Sequence, residues 1–377
     1  MHAVTIFVGR YFGERMKINT TLGQLGLVSV GLWLSLGVHA ASTGSIEPMH
    51  LRNASTNGSQ AESQTQPWDN QRLEYANHSV QRVRFNSQGT PVVGNLFVPK
   101  GKIKGSIVVM GPVAFVKEQA PIQYASRLVK MDYAVLVFDP RFHGESGGEP
   151  RRLESRQAKV EDIQAAVDYL ATQTAIDGLP VYGLGICQGV NWMIEAATQD
   201  KRIQKIAIAA GHYLMPEIAN LYLGGAENVA ERIASAQAAK AAYDTTGEVK
   251  YIPIVSEPGN NALLGAPVIQ QFYQRWADRG LFWEFHGGWE NRITQMSEAE
   301  IWGHDIRPIA EKLQTPVLML DADHAASGSK VPREVFASIP AENKQLQWLG
   351  ARNQMQFYED PLTIDLVTED LEQFFIQ

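Results

Sequence analysis

The sequence predicts an α/β protein in which a mainly parallel sheet is covered by helices on both faces. Three observations carry this. Between residues 79 and 210, short continuous apolar runs alternate with longer segments of helical period, and unbroken apolar runs are the mark of strands buried on both faces. One run, Pro180-Val181-Tyr182-Gly183-Leu184, passes into Gly185-Ile186-Cys187-Gln188-Gly189, and a helical pattern begins directly behind it. The alternation then stops at about residue 211 and resumes at Thr315, the pattern of a helical cap (about 211–309) inserted between two core strands.

At 377 residues, with 45% hydrophobic content and a net charge of −7, the chain can bury one large core or two modest ones. Nothing in the charge points to a nucleic-acid partner or an anionic membrane surface. A single cysteine excludes an internal disulfide and a Cys-rich metal site. From Met16 the chain reads Lys17, an apolar run from Leu22 to Val38, and small residues at Ala40 and Ala41. Residues 1–41 are therefore expected to be a secretory signal peptide, with Met16 as an alternative start. The run contains Gly23, Gly26, Ser29, Gly31 and Ser35 and is short for a span, which predicts cleavage, no stable membrane span and a secreted or periplasmic protein. Residues 42–70, rich in Ser, Thr, Asn and Gln, read as a disordered polar linker, and 71–377 as the folded domain.

Taken in order, regular structure is expected from near Ser79. Val80, Val83 and Phe85 alternate with polar residues, Ser87-Gln88-Gly89-Thr90 turns the chain, and Val92 to Val98 completes a hairpin. Ser106–Met110 is a buried strand. Lys117–Lys130 is a helix with Ile122, Ala125, Leu128 and Val129 on one side. Ala134–Phe138 is the next strand, followed by the loop Asp139–Arg151 and a helix with Ile163, Ala166, Val167 and Leu170 on its inner face. After the Cys187 strand and helix comes the strand Lys205–Ala209. Within 211–309, Val229–Tyr243 is helical; Tyr222, Phe272, Tyr273, Trp276, Phe282, Trp283, Phe285 and Trp289 either fill the core of the cap or line an apolar pocket. Thr315–Leu320 (strand), Val331–Ser338 (helix), Gln345–Leu349 (strand) and Pro361–Phe375 (helix) close the chain.

Strand, Gly-x-Cys-x-Gly and helix together form a nucleophile-elbow pattern: the flanking glycines allow a turn sharp enough to project the Cys187 side chain above the sheet. The same turn leaves the Gln188 amide at a helix N-terminus, where it can donate to a developing oxyanion. The competing reading of Cys187 is a small buried hydrophobe at a strand end.

Three blocks carry a family resemblance: Val116-Lys117-Glu118-Gln119 at the start of the first helix, Asp139-x-Arg141-x-x-Gly144-Glu145-Ser146-Gly147-Gly148-Glu149-Pro150-Arg151, and Gly185-Ile186-Cys187. With them the chain from about Ser79 onward resembles the α/β-hydrolase superfamily, and more narrowly its dienelactone-hydrolase-like and polyketide-transferase-like branch. The resemblance implies a nucleophile, an acid and a histidine in that chain order, acting on esters, lactones or thioesters. It carries the nucleophile to Cys187 and the acid to Asp323, with Asp321 as the fallback. The oxyanion amides fall on Gln188 and Val113.

The chain departs from the family pattern in two places. The histidine position falls on Asn353 or Gln354, and no histidine follows His324. The second oxyanion loop reads Gly111-Pro112-Val113-Ala114-Phe115, where the family's resembles His-Pro-x-Gly-Gly. His143 is the first-ranked substitute base, ahead of His212, His286, His304 and His324. Two functions follow as expectations: an exported acyl hydrolase or acyltransferase working through Cys187, or a catalytically impaired relative that binds a small apolar or acyl ligand. A peptidase is a weaker third. The expected partner is a small-molecule acyl or ester substrate. No cofactor or metal motif is present.

Overall fold

The computed structural model describes residues 71–256, 260–278 and 288–377, with the backbone alone for 274–278. The expected signal peptide and linker, together with His286, Phe282, Trp283, Phe285 and the side chain of Trp276, lie outside what is described.

The chain opens with three antiparallel strands, β1 (Arg72–Glu74), β2 (His78–Ser87) and β3 (Thr90–Pro99). β1 precedes the expected start of regular structure. It is three residues long and exposed, too short to show a period of two. β4 (Gly105–Met110) leads to α1 (Ala120–Leu128) and β5 (Tyr133–Phe138), then α2 (Arg156–Ala171), β6 (Val181–Ile186), α3 (Gly189–Gln199) and β7 (Ile203–Ala209). The segment that follows holds α4 (Pro216–Leu223), α5 (Ala226–Thr246), β8 (Tyr251–Ile252), α6 (Pro267–Asp278), β9 (Ile293–Thr294), α7 (Ser297–Trp302) and α8 (Arg307–Ala310). The core then resumes with β10 (Val317–Asp321), α9 (Lys330–Ser338), β11 (Lys344–Trp348), α10 (Gln356–Glu359) and α11 (Pro361–Ile376).

Among the described residues these strands form one nine-stranded sheet in the order β1-β2-β3-β5-β4-β6-β7-β10-β11 and one small ribbon, β8-β9. From β5 to β11 every pairing is parallel. β4, β5 and β10 are buried along their whole length, as apolar strands with helices on both faces must be. This is the α/β-hydrolase fold.

The order β5-β4-β6 matters for function. From β4 the chain crosses to one side of the sheet, and from β6 to the other. Their C-terminal ends therefore part and leave a crevice, the place where open α/β sheets bind ligands. Met110 pairs with Gly185 across the two strand ends, which sets the loop 111–115 beside Cys187. The helix after the elbow approaches this corner so closely that a Cβ on Gly189 would lie 2.4 Å from the Met110 carbonyl oxygen and 2.5 Å from that of Gly111.

The long Asp139–Arg151 block spends its charges on itself. The Asp139 carboxylate accepts from the Lys117 amide and ammonium and from the Glu145 amide, all at 2.8–2.9 Å. Lys117 also pairs with Glu145 at 2.6 Å. Gly144, at φ +50°, would put a Cβ 2.2 Å from Asp139 Oδ2, so only glycine fits there. The block's specificity as a sequence signature thus reflects a self-bonded loop that braces the start of α1.

Gly189→Ala is expected to destabilise the fold by roughly 1–3 kcal/mol or more, because the backbone at both contacts cannot give way. Gly101→Ala, which meets nothing within 4 Å, is expected to stay within about 0.5 kcal/mol of the parent. Thermal melting of the two variants checks the contrast.

Candidate active site

Cys187 sits at φ +56°, a left-handed backbone that a non-glycine residue adopts only when its surroundings force it. The forcing is visible. Its N–H donates to Ala209 O at 3.0 Å, and its carbonyl accepts from His212 N at 3.1 Å, so both sides of the turn are tied to the end of β7. Asn191, fully buried, completes the brace: its Nδ2 donates to Gln188 O and His212 O, and its Oδ1 accepts from Leu214 N. The unusual Gln188-Gly189-Val190-Asn191 continuation thus has a structural use.

Cys187 is 5% exposed. The backbone amides of Gln188 and Val113 and the Tyr358 hydroxyl lie near enough to favour its thiolate. Burial nevertheless dominates and pushes the thiol up to about 11, against the partial relief those donors and the Lys159 charge supply. Phe115, Tyr273 and Tyr358 pack together beside it (Phe115 to each tyrosine, 5.3 Å between ring centroids), and Trp289 packs at a tilt behind Tyr273 at 5.6 Å. Tyr222, Tyr273 and Tyr358 are all near enough to feel charge on Cys187.

Of the two residues on which the expected histidine position falls, Gln354 is the buried one, 8% exposed. Its Oε1 accepts from Ala326 N at 2.7 Å, and its Nε2 donates to Ala210 O and to Tyr358 Oη, each at 2.9 Å. With both amide hydrogens assigned, Tyr358 accepts from Gln354 and turns its own hydrogen to the sulfur. Tyr358 was not anticipated from the sequence; the signal available was its place in Phe357-Tyr358-Glu359-Asp360, just beyond the histidine position. Asn353 is exposed and bonds the amides of Met355 and Gln356 at the start of α10, away from the sulfur.

Asp323, the expected acid, and Asp321, the fallback, differ in burial and partners. Asp321 is the last residue of β10, and beyond it the chain turns outward. Asp323 is exposed and its Oδ1 accepts from Trp348 Nε1 at 2.9 Å, whereas Asp321 is fully buried at the strand end. Its carboxylate accepts from Ala322 N at 2.9 Å and Gly211 N at 3.2 Å. Burial still pushes its pKa up to about 7. His143, the first-ranked substitute base, is occupied elsewhere: Nδ1 donates to Arg141 O at 3.1 Å and Nε2 faces Glu154 Oε1 at 3.3 Å. His212 stacks on Tyr222 at 4.8 Å, and burial lowers its pKa to about 4. His304 lines a groove of about 700 Å³ between α2, α3 and α7, none of whose lining residues belongs to the Cys187 site. Among the described residues no cluster of three or more His, Cys, Asp or Glu could hold a metal ion, and no helix is long and apolar enough to cross a membrane.

A carboxyl whose folded pKa is raised is most favourable to the fold while protonated. The contribution of Asp321 is therefore fully present below its unfolded pKa of about 3.8 and is lost as pH rises through about 7. Whatever Asp321→Asn costs overall, the variant is expected to gain stability relative to the parent between pH 5 and pH 8. Denaturant midpoints of both proteins at the two pH values measure this.

Residues 120–274 match the family model described as "Serine aminopeptidase, S33". The uncharacterized protein YcjY of Escherichia coli (strain K12) is 25% identical over 276 residues, 72% of this chain and 87% of that protein. The polyketide transferase claH of Penicillium crustosum is 23% identical over 285 residues, 71% of this chain and 84% of that one. The crystal structure of the hypothetical protein PA2218 of Pseudomonas aeruginosa superposes with a TM-score of 0.66 at 23% identity, covering 82% of this chain and 98% of that one. Sheet order, the Cys187 turn and these matches agree: the chain belongs to the α/β-hydrolase superfamily.

Proposed function

We propose that this chain is a catalytically impaired member of its superfamily, one that binds a small, largely apolar ester, lactone or thioester through its carbonyl group and does not hydrolyse it at neutral pH. The observation that carries this reading is the complete hydrogen bonding of Gln354 in the histidine's place, with Tyr358 interposed on the sulfur. Neither group can take the thiol proton. An amide has no titratable nitrogen, and burial holds the Tyr358 phenol well above its ordinary range as a proton donor. With the thiol near 11, about one molecule in ten thousand carries a thiolate at pH 7. Loss of the base costs on the order of a million-fold in rate in a well-studied triad protease. What the site keeps is the carbonyl-binding half: two converging amides and a wall of aromatic rings.

The N-terminal pattern of Lys17, apolar run and Ala40-Ala41 supports export, so this binding would take place in a periplasmic or extracellular space. A second reading, an exported hydrolase or acyltransferase with Cys187 as nucleophile and Asp321 as acid, draws on one observation: both amides are still aimed at the reacting atom.

Short esters and lactones are expected to raise the melting temperature of the protein in a saturable way, while p-nitrophenyl esters give no nitrophenol above the Cys187→Ala background at pH 7. Continuous release abolished in Cys187→Ala would replace this reading with the hydrolase. Gln354→His alone leaves the Tyr358 hydroxyl between ring and sulfur. The double variant Gln354→His/Tyr358→Phe is therefore expected to exceed the single one by at least about tenfold in release, the smallest effect of a working general base being larger still.

A further inference from the structure

The loop that delivers the Val113 amide is held in a conformation its own sequence does not favour. Ala114 lies at φ +57°, the left-handed region that glycine enters freely and a residue with a Cβ does not. The turn's own bond, from Phe115 N to Pro112 O at 3.3 Å, spans it, and one contact from outside the loop adds to that hold. The Ala114 N–H donates to Glu154 Oε1 at 2.6 Å, a short charge-assisted bond. We infer that Glu154 is the positioning residue of the oxyanion site: its buried carboxylate holds Ala114 left-handed and thereby aims the preceding amide, that of Val113, at the Cys187 sulfur.

Glu154 is equipped for this. It is 2% exposed and stands at the entry to α2, where its own N–H donates to Ser297 Oγ at 2.9 Å, and Ser297 Oγ in turn bonds Thr294 Oγ1 at 2.7 Å. Its Oε2 pairs with Lys159 Nζ at 2.5 Å, and its Oε1 also faces His143 Nε2. Burial alone would push its pKa up, but Lys159 and His143 outweigh that and hold it down at about 2, so the group is an ionised acceptor at neutral pH. His143, the first-ranked substitute base, is here a neighbour of Glu154. The Lys159 charge also reaches the Cys187 sulfur and favours its thiolate, so a test must separate the acceptor from the ion pair.

The inference rests on the carbonyl-binding reading above. The test uses the full chain and a short-chain alkyl trifluoromethyl ketone, read at equilibrium by fluorine NMR. Addition forms the bond from Cys187 Sγ to the carbonyl carbon, opens the C=O π bond, and passes the thiol proton to the carbonyl oxygen, which the Val113 and Gln188 amides then hold. Glu154→Gln/Lys159→Met keeps an acceptor for Ala114 and removes the ion pair; Glu154→Leu/Lys159→Met removes both. The first is expected to bind the ketone within about threefold of the parent, the second at least about tenfold more weakly, the smallest loss expected for one oxyanion donor being of that order. Adding Ala114→Gly to the second is expected to restore affinity, because glycine needs no brace at that φ. Iodoacetamide alkylation, which does not load the amides, should run equally fast in both double variants. If the leucine variant is insoluble, Glu154→Ser/Lys159→Met makes the same comparison. Equal ketone affinity in the two double variants would overturn the role of Glu154 alone. A parent that is alkylated yet forms no ketone adduct would overturn the carbonyl-binding reading and this inference with it.

Discussion

A single sulfur, buried where strand β6 turns into helix α3, sets the terms for the rest of the site. The turn is left-handed at Cys187, and it is held there from both sides by bonds to the end of β7. The partners that reach the sulfur are donors: two backbone amides and a phenol. Donors favour a thiolate, yet removal from water disfavours it more, and burial wins. A base beside the sulfur would resolve that conflict by taking the proton as charge develops. Here the base's place is filled by an amide that spends its hydrogens on Ala210 and Tyr358. On the proposed reading, the donors around the sulfur are kept while the proton's acceptor is not.

The same logic of tethering runs outward from the sulfur. The Asp139–Arg151 loop is folded on Asp139 and Lys117, and α1 begins next to it. Glu154 ties the loop 111–115 to α2 on one side and to Ser297, at the start of α7, on the other. α7 belongs to the chain segment between β7 and β10, and it meets Glu154 at the main-chain N–H, while the carboxylate of the same residue holds the Ala114 amide. Buried ion pairs of this kind add little net stability, since desolvation offsets much of their attraction; their value here is in fixing a direction.

Much of this was legible in the sequence, and the failures have physical causes. The alternating apolar runs placed β4, β5, β6, β7 and β10 because strands covered on both faces have no polar positions to blur the signal. Gly-x-Cys-x-Gly marked the elbow because only that turn needs small residues on both sides of the nucleophile. The resemblance ranks Asp323 ahead of Asp321, since alternate residues of one strand share a face and nothing in the sequence marks that the strand ends at Asp321. Tyr358 escaped notice because a tyrosine one helical turn from Gln354 carries no motif of its own. Glu154 lay outside every motif for the same reason: its role depends on the φ of Ala114, forty residues earlier, and a backbone angle at an alanine leaves no trace in a sequence.

The central claim is that the Cys187 thiol is buried among donors with no base to take its proton. Because the chain has one cysteine, the mass gained on treatment with iodoacetamide reports that thiol alone. The rate of that gain, measured at half-unit steps from pH 7 to the highest pH at which the protein stays folded, is the most direct measurement. With the thiol near 11, the logarithm of the rate should climb with a slope of about one throughout and reach no plateau below about pH 10. A plateau reached by pH 8 would mean a thiolate already formed near neutrality, and would contradict the account.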